Sequence, residues 1–338
     1  MKALLVKGPG DYGLTDLPLP EVKPGWALLK VRTAAFCATD LEVLTGGIPA
    51  AYPLIPGHEW CADVVEINDA DQRLAGKRVV GSNDVCCLTC KACRSGLWRN
   101  CAAFGEIGFK YNGAYAAYMT APLYALREVP PSISDIQACM LEPLGVALGT
   151  LDKAEARIGE TLLIFGAGSI GLNVLAVAKA MGLRRITVVE RSGGRLPIAR
   201  AMGAFETIAT ASDPLEARLK DVYPEGADII VDATGSELCL QTALALAPKS
   251  GRVVLAGYGG GKTMGIRVDD IHIKNLRVSG AGNNWNLLDR CLDLVADGLI
   301  DTRQLCTKVS GLNNFEQAVG DARAREPLFV KTVFDMGA

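Results

Sequence analysis

The chain has 338 residues, a net charge of −2 and 49% hydrophobic residues, so it can build the packed cores of two domains. The nearly balanced charge excludes the basic surface typical of nucleic-acid or anionic-membrane binders, and no apolar run of about 18 residues predicts a membrane span. Eleven cysteines and no predicted export signal favour a reducing, cytoplasmic compartment and metal ligation over disulfides.

The N-terminal part of the chain contains short β-rich runs, such as Tyr115–Met119, separated by frequent prolines. This pattern predicts a β-rich domain with many loops. A last β-rich run, Leu328–Phe334, predicts a strand that returns to this domain. We therefore expect residues 1–145 and 286–338 to form one β-rich domain.

Between residues 146 and 285 the character of the sequence changes. Short apolar runs typical of buried strands alternate with segments of helical periodicity. This order predicts an α/β domain with a doubly wound parallel sheet of the Rossmann type. The predicted strands are Thr161–Phe165, Ile186–Val189, Ile229–Val231, Arg252–Leu255 and Leu276–Gly280, and the predicted helices are Ile170–Met181, Arg195–Met202, Leu238–Leu246 and Trp285–Ala296.

A glycine motif follows the first of these strands. Gly166, Gly168 and Gly171 have the spacing Gly-x-Gly-x-x-Gly, and Glu190 ends the next strand 24 residues after Gly166. Such a motif allows a tight turn, lets backbone approach a pyrophosphate and lets the helix pack closely on the strand. An acidic residue at about this distance binds a ribose diol. The motif therefore predicts a dinucleotide site.

Four cysteines lie close together in the β-rich part. Cys87, Cys90, Cys93 and Cys101 have the spacing C-x2-C-x2-C-x7-C, and four thiolates on one short segment are typical ligands of a structural zinc. An iron–sulfur cluster is the alternative for such a set. Cys86 precedes the first ligand, but Cys87 keeps the two-residue interval, and we prefer it for that reason.

A second set of metal ligands is more dispersed in the sequence. Cys37, His58 and Glu59 offer one thiolate, one imidazole and one carboxylate. Three protein ligands leave a coordination position open, which is what a catalytic zinc requires. The sequence has two histidines, and we interpret the other one, His272, as structural.

These motifs occur in a specific order. They are Cys37-Ala-Thr39-Asp40, Gly57-His58-Glu59, the four-cysteine segment, Glu142-Pro143-Leu144 and Gly166-Ala-Gly168-Ser-Ile-Gly171. In this order the sequence resembles the zinc-containing medium-chain alcohol and polyol dehydrogenases over essentially its whole length. The resemblance implies a GroES-like catalytic domain beside the Rossmann domain, and hydride transfer between an alcohol and NAD(P). It also implies a homodimer or homotetramer paired through the edge strand near Leu276–Gly280.

The resemblance further implies roles for single residues. Glu142 points to the sorbitol-dehydrogenase-like branch, in which a glutamate at this place reaches the zinc or its bound water, although it also suits a helix start. Thr39 would be the first group of a proton relay and Asp40 would orient His58, although both also suit turn capping. Many relatives have a histidine where this chain has Glu42, so the outer relay stays open between Glu42, cofactor hydroxyls and water.

The sequence favours NAD over NADP as cofactor. The carboxylate of Glu190 would repel a 2′-phosphate and accept from the ribose diol, while Arg191, Ser192 and Arg195 keep NADP open. The resemblance implies that Arg195 lies along the adenosine. The other cofactor-lining residues that it implies are Ile170, Leu255, Gly257, Ser279 and Ala281.

Three other functions fit parts of the sequence. Ala256–Thr263 resembles a phosphate-binding P-loop, but the residues after it predict extended chain instead of the required helix, so we reject a nucleotide triphosphatase. A non-catalytic zinc protein that senses a dinucleotide would bind cofactor without turnover. A carbonyl reductase would run the dehydrogenase chemistry in reverse. The last two stay open as alternatives.

The substrate is the part that the sequence determines least. We expect a small-molecule secondary alcohol, which is a polyol, a sugar or an aminocyclitol, because Glu106 and Glu142 suit hydroxyl-rich or amine-bearing molecules. The segments 58–60 and 105–109 faintly resemble bacterial aminocyclitol dehydrogenases. The candidate pocket residues, all of which except Glu142 also suit core or loop packing, are Phe36, Leu44, Tyr52, Trp60, Glu106, Phe109, Glu142 and Trp285.

Overall fold

Two large β-sheets organise the chain in the computed structural model, which describes residues 1–282, 287–324 and 326–337. The N-terminal part of the chain supplies most strands of the first sheet. The elements of this part of the chain are β1 (Lys2–Gly8), β2 (Asp11–Asp16), β3 (Trp26–Ala35), α1 (Ala38–Thr45), β4 (Glu59–Ile67), β5 (Arg78–Gly81), β6 (Asp84–Val85), α2 (Lys91–Arg94), β7 (Gly105–Glu106), β8 (Tyr118–Pro122), β9 (Leu126–Glu128), α3 (Asp135–Cys139) and α4 (Leu141–Lys153). Strands β1 and β2, and likewise β6 and β7, pair separately as two-stranded sheets.

The middle of the chain forms the second sheet, with helices between its strands. Its elements are β10 (Thr161–Phe165), α5 (Ser169–Ala180), β11 (Arg184–Glu190), α6 (Leu196–Ala201), β12 (Glu206–Ala209), α7 (Leu215–Val222), β13 (Ile229–Asp232), α8 (Glu237–Leu246), β14 (Arg252–Leu255), α9 (Val268–Lys274) and β15 (Arg277–Gly280). The strand order is β12-β11-β10-β13-β14-β15, and every neighbouring pair is parallel. This arrangement confirms the predicted Rossmann fold.

The C-terminal part of the chain adds strands to the first sheet. Its elements are α10 (Leu288–Ala296), β16 (Cys306–Gly311), α11 (Phe315–Ala324) and β17 (Lys331–Asp335). The sheet order is β16-β17-β3-β4-β5-β9, with β8 also paired to β3. Because β17 pairs antiparallel with the end of β3, the last strand lies next to the residues that immediately precede α1.

One apolar core connects the two sheets through α4. The core includes Ala35 of the first sheet, Leu148 of α4 and Val254 of the second sheet. Helix α4 packs against α5 and α10. The two sheets are therefore parts of one packed structure, and the residues at their junction can form a common site.

The structure differs from the sequence predictions in several elements. Helix α4 begins at Leu141, within the part predicted to be β-rich, because its buried residues at helical spacing find partners on α5 and α10. The strand predicted at Tyr115–Met119 begins only at Tyr118. Strand β12 was not predicted, since a four-residue edge strand with two polar positions gives no clear periodicity. Trp285, where the predicted last helix begins, lies outside the described residues.

No helix in the described part of the chain is long and apolar enough to cross a bilayer.

Candidate metal and dinucleotide site

The dispersed metal ligands meet where α1 and β4 begin. Cys37 is the N-cap residue of α1, Glu59 is the first residue of β4, and His58 precedes it. Their ligand atoms all lie within 4.8 Å of one another. His58 and Glu59 are buried, while Cys37 is half-buried. A thiolate, an imidazole and a carboxylate at this distance form a donor set that suits zinc.

Asp40 contacts two of these three residues, His58 and Cys37. Its carboxylate is completely buried, with Oδ1 3.4 Å from Nδ1 of His58. Its Oδ2 accepts hydrogen bonds from the backbone N–H of Cys37, at 2.9 Å, and from the hydroxyl of Tyr115. A carboxylate beside Nδ1 leaves Nε2 of the imidazole for a metal. Burial lowers the pKa of His58, but Asp40 and the Cys37 thiol outweigh it and raise that pKa well above its usual value.

The hydroxyl of Thr39 lies among the same ligand atoms. Oγ1 of Thr39 is 3.1 Å from Sγ of Cys37 and 3.4 Å from Nε2 of His58. Thr39 is in the first turn of α1, so the helix start positions the thiol and the hydroxyl together. This location allows Thr39 to exchange a proton with a molecule that lies beside the metal ligands.

Lys331 is a member of the group that sequence reasoning missed. Its Nζ is 2.6 Å from both carboxylate oxygens of Glu59, and the side chains are 3% and 1% exposed. Burial acts to lower the pKa of Lys331, but the charges of Glu59 and Cys37 raise it overall, so the ammonium stays protonated. Each oxygen of Glu59 keeps a second lone pair, which leaves the carboxylate able to bind a metal as well.

Glu142 lies in the first turn of α4 and is half-buried. Its carboxylate is not in the ligand group found within 4.8 Å among the described residues. Its negative charge does act on Lys331, whose pKa it helps to raise. Its predicted contact with the metal therefore stays a prediction.

The four predicted cysteine ligands come together around α2. Their Sγ atoms lie within 4.8 Å of one another, with Cys90–Cys93 and Cys87–Cys101 both at 3.5 Å. The hydroxyl and backbone N–H of Thr89, with other donors, lower the pKa of Cys87 to about 5, whereas burial raises that of Cys93 to about 12. N–H donors that favour a thiolate, in a set of four sulfurs, fit a structural zinc.

Cys86 lies outside this group of four. Its thiol faces the backbone carbonyl of Trp98, at 3.5 Å.

The glycine motif lies between β10 and α5. Gly166 has φ +101°, a conformation that favours glycine, and a Cβ at Gly171 would overlap the carbonyl oxygen of Gly166. Gly168 is the N-cap residue of α5, and the nearest atom to a Cβ built on it is Nη1 of Arg195, at 4.0 Å. The helix start therefore presents N–H groups to an open space, which fits a pyrophosphate.

The other predicted cofactor residues lie at the same edge of the sheet. Glu190 ends β11 and accepts the backbone N–H of Arg195 at 3.1 Å, and Nε of Arg195 donates to the carbonyl of Phe329 at 2.6 Å. The remaining positions are the second residue of α5 (Ile170), the end of β14 (Leu255), the loop after it (Gly257), β15 (Ser279) and the loop after β15 (Ala281). The carboxyl ends of parallel strands on either side of the β10–β13 crossover are where dinucleotides bind.

The loop after β13 lies at the same carboxyl edge of the parallel sheet, and sequence reasoning did not single it out. Asp232 Oδ1 accepts the backbone N–H of Thr234 at 2.8 Å and its hydroxyl at 2.5 Å. A Cβ at Gly166 would lie 2.9 Å from Cγ2 of Thr234, and one at Gly257 would overlap Gly235. The sequence signal was Asp232-Ala-Thr-Gly at the end of a predicted strand, a turn typical of a loop that packs against backbone.

Comparison with known proteins agrees with this geometry. Residues 23–131 match the family model of the alcohol dehydrogenase GroES-like domain, and residues 169–296 match that of the zinc-binding dehydrogenase. The erythritol/L-threitol dehydrogenase of Mycolicibacterium smegmatis is 32% identical over 340 aligned residues, covering 94% of this chain and 93% of the relative. The chain belongs to the zinc-dependent medium-chain alcohol and polyol dehydrogenases.

Two further relatives support the same family. The L-threonine 3-dehydrogenase of Burkholderia lata is 32% identical over 290 residues, which cover 83% of each chain. A zinc-binding dehydrogenase of Sinorhizobium meliloti 1021, solved with NADP, has a TM-score of 0.90 and 26% identity, covering 99% of this chain and 98% of that one. The predicted class is therefore confirmed: this dehydrogenase is a zinc-dependent alcohol oxidoreductase that uses a nicotinamide dinucleotide.

The glycine-rich segment after β14 has a different structure from a P-loop. Residues 262–267 of the dehydrogenase form a described stretch without helix, and α9 begins only at Val268. A phosphate-binding P-loop needs a helix that begins at the lysine and threonine. The segment therefore lacks the helix that a P-loop requires, as the sequence pattern predicts.

Several candidate pocket residues of the dehydrogenase belong to its core. Phe36, Leu44 and Trp60 are at most 4% exposed and pack in one apolar cluster of the first sheet. The carboxylate of Glu106 binds the guanidinium of Arg99 at 3.1 Å. Of the aromatic candidates, Phe109 has its ring 5.0 Å from that of His58. Tyr52 donates to a backbone carbonyl, and Trp285 lies outside the described residues.

Proposed function

We propose that the dehydrogenase oxidises a small polyol, or a related secondary alcohol with a polar neighbouring group, with NAD as hydride acceptor. One observation carries the proposal: the donor atoms of Cys37, His58 and Glu59 lie within 4.8 Å of one another. The hydroxyl of Thr39 lies 3.1 Å from the Cys37 sulfur. Cys37, His58 and Glu59 would hold a zinc ion, which would supply Lewis acidity toward the alcohol oxygen, and a bound nicotinamide dinucleotide would supply the hydride acceptor.

The protein's own residues handle the proton and hold the ligands. Thr39 takes the proton of the alcohol at Oγ1 and passes its own proton outward. Asp40 fixes the ring of His58, and Lys331 fixes the carboxylate of Glu59 while adding a positive charge beside it. The carboxylate of Glu42 packs against Gly47, so we assign the outer relay to cofactor hydroxyls or water.

The polyol class is supported by the substrates for which several relatives are named. One is named for erythritol and L-threitol, and others are named for L-threonine, all of which carry a secondary alcohol next to a second polar group. Glu142, with its carboxylate near the charged Lys331, would accept a hydrogen bond from a neighbouring hydroxyl or amine. Aminocyclitols share this chemistry and remain the second candidate class.

NAD is favoured by the carboxylate that ends β11. Glu190 uses Oε2 for the backbone N–H of Arg195, which fixes the carboxylate at the place where a ribose diol binds. A negative charge there would repel a 2′-phosphate.

The decisive experiment is a substrate panel read by the absorbance of the reduced cofactor. Erythritol, threitol, sugars, aminocyclitols, L-threonine and simple alcohols are each tested with NAD and NADP, before and after zinc removal. We expect turnover of polyols with NAD that disappears with the metal and returns when zinc is added. The proposed class is wrong if simple primary alcohols react faster than every polyol and aminocyclitol. Initial rates from alcohol and from ketone then decide whether reduction is the main direction.

We also propose the domain boundaries, assembly and compartment expected from the sequence. Residues 1–145 and 286–338 would form the catalytic domain and 146–285 the cofactor domain, which the pairing of β17 with β3 supports.

A homodimer or homotetramer is supported by the position of β15 at the edge of its sheet and by the exposed Ile273 and Val278. None of the eleven cysteines, all of which lie in the described residues, forms a disulfide, which suits the cytoplasm. Light scattering of the purified protein tests the assembly.

A further inference from the structure

Asp40 divides its two oxygens between different partners. Oδ2 accepts the backbone N–H of Cys37 and the hydroxyl of Tyr115, while Oδ1 is left 3.4 Å from Nδ1 of His58. Beyond that pair, Oδ1 and Nδ1 have no hydrogen-bond partner in the described part of the chain, so each depends on the other. The donors on Oδ2 therefore decide which oxygen faces the imidazole.

Tyr115 is held rigidly in the place from which it donates. Its ring is completely buried and packs against Phe315 at 5.4 Å and Phe334 at 5.5 Å between ring centroids. On the other side it lies against Gly57, where a Cβ would come within 2.7 Å of the ring. Burial, together with the charge of Asp40, raises the pKa of Tyr115 well above its usual value, so its hydroxyl remains a donor.

We propose that Tyr115 is a positioning residue of the catalytic zinc site, which turns the Asp40 carboxylate so that Oδ1 meets the His58 ring and Nε2 faces the metal. The inference rests on the proposed metal ligands Cys37, His58 and Glu59. The chain of contacts runs from the aromatic core through one hydroxyl and one carboxylate to the imidazole. The hydroxyl of Tyr115 contacts Asp40 and the backbone carbonyl of Ala35, so its link to the ligand His58 runs through Asp40.

A purely structural role for Tyr115 makes a different prediction. The ring belongs to the apolar core, and its hydroxyl is also 3.1 Å from the backbone carbonyl of Ala35. If the hydroxyl served only to satisfy that carbonyl, its loss would lower stability and leave the metal site unchanged. If it positions Asp40, its loss changes metal binding even in folded protein.

The test is the substitution Tyr115→Phe, which removes one oxygen and keeps the ring. Zinc affinity of each site is measured by competition with a chromophoric chelator on the full chain. Removing an outer partner of a metal-bound histidine typically weakens metal binding about 10-fold to 100-fold, and we expect about a 10-fold loss at one site per chain. The four-cysteine site should keep its affinity and serves as an internal reference.

Tyr223→Phe is the matched control. Tyr223 directly follows α7, and its buried hydroxyl donates to Thr187 of β11 at 2.7 Å, in the Rossmann part of the protein. We expect zinc affinity within twofold of wild type, whatever the loss in melting temperature. Equal zinc affinity in wild type and Tyr115→Phe would overturn the inference.

Two further measurements separate positioning from a general loss of structure. With Co²⁺ in the catalytic site, Tyr115→Phe should shift the visible ligand-field bands, whereas Tyr223→Phe should not. In an Asp40→Asn background, adding Tyr115→Phe should change zinc affinity less than twofold, because the link is already broken. An unchanged cobalt spectrum, or equal effects in both backgrounds, would contradict the proposal.

If Tyr115→Phe does not fold, 3-fluorotyrosine at position 115 replaces it, because fluorine strengthens the donor and barely changes the ring. A cobalt spectrum identical to that of the unmodified protein would then overturn the inference.

Failure of the proposed function would give a different result from failure of this inference. A wild-type chain that binds zinc only at its four cysteines would refute the catalytic site itself, whatever the variants do.

Discussion

The buried pair of Lys331 and Glu59 gives a sharp prediction for Lys331→Met. Methionine keeps most of the volume of the lysine stem but removes the ammonium that contacts both oxygens of Glu59 at 2.6 Å. The carboxylate, only 1% exposed, then has no counter-charge from strand β17. The chain would have to bury an uncompensated negative charge or protonate it.

The expected loss is large because neither side chain reaches solvent. Removing one partner of a buried ion pair typically costs about 3–5 kcal/mol of unfolding free energy, and with 3% and 1% exposure we apply no reduction for solvent screening. Zinc bound beside Glu59 would supply positive charge to the same carboxylate. We therefore expect Lys331→Met to lose this full amount of unfolding free energy in zinc-free protein and less of it in zinc-loaded protein.

Urea unfolding of the wild type and Lys331→Met, with and without zinc, measures the loss of unfolding free energy through the midpoint and the slope. The matched control is Lys308→Met, which breaks the ion pair with Asp321, where the side chains are 39% and 18% exposed. Exposed pairs contribute about 0–1 kcal/mol, so this control should lose little in either state.

Two results would refute the reasoning. One is a loss below about 1 kcal/mol for Lys331→Met in zinc-free protein, since a buried pair should contribute more than a surface pair. The other is an equal or larger loss when zinc is bound, which would mean that no cation shares the carboxylate of Glu59.

Three further predictions concern the proton relay, the choice of cofactor and the buried acid Asp84. Thr39→Val should lower kcat at least about 100-fold with zinc content unchanged; normal turnover rules out the relay. Wild-type kcat/KM should be at least about tenfold higher with NAD than with NADP, a difference of ~1.4 kcal/mol, and Glu190→Ser should reduce that ratio; a preference for NADP contradicts the assignment of Glu190. Burial raises the pKa of Asp84 from 3.8 to about 6, so the folded state holds the proton more tightly and loses stability as pH rises between those values. From pH 5 to pH 8 this linkage lowers the unfolding free energy of the wild type by about 1.4 kcal/mol. Urea unfolding should therefore show Asp84→Asn gaining about 1.4 kcal/mol of unfolding free energy relative to wild type over this range. A difference between variant and wild type that stays the same from pH 5 to pH 8 refutes the raised pKa of Asp84.

The prediction from sequence worked where the chemistry is local. Cys87, Cys90 and Cys93 lie within seven residues, so their spacing alone brings the sulfurs near one another. The glycine motif is equally local, because the turn, the N-cap and the start of α5 are consecutive in the chain. The class of fold followed from the alternation of strands and helices, and the family comparisons confirmed it.

Sequence reasoning failed where a residue takes its environment from distant parts of the chain. The sequence left Phe36 and Trp60 open between pocket and core, and the structure buries both in the core, Trp60 on β4 and Phe36 directly after β3. Helix α4 was not among the predicted helices, although a helix start was one interpretation of Glu142, which does lie in its first turn; the rest of its apolar face is explained by the helices that cover it.

The sequence by itself determined the donor types, the glycine turn and the alternating order of elements, because each depends on residues a few positions apart. Only the tertiary structure decided how the metal site is held. Lys331 reaches Glu59 across 272 positions because β17 pairs with β3, and Tyr115 reaches Asp40 across 75 because its ring fills the space beside Gly57. Such contacts depend on strand register and core packing, which no local pattern encodes.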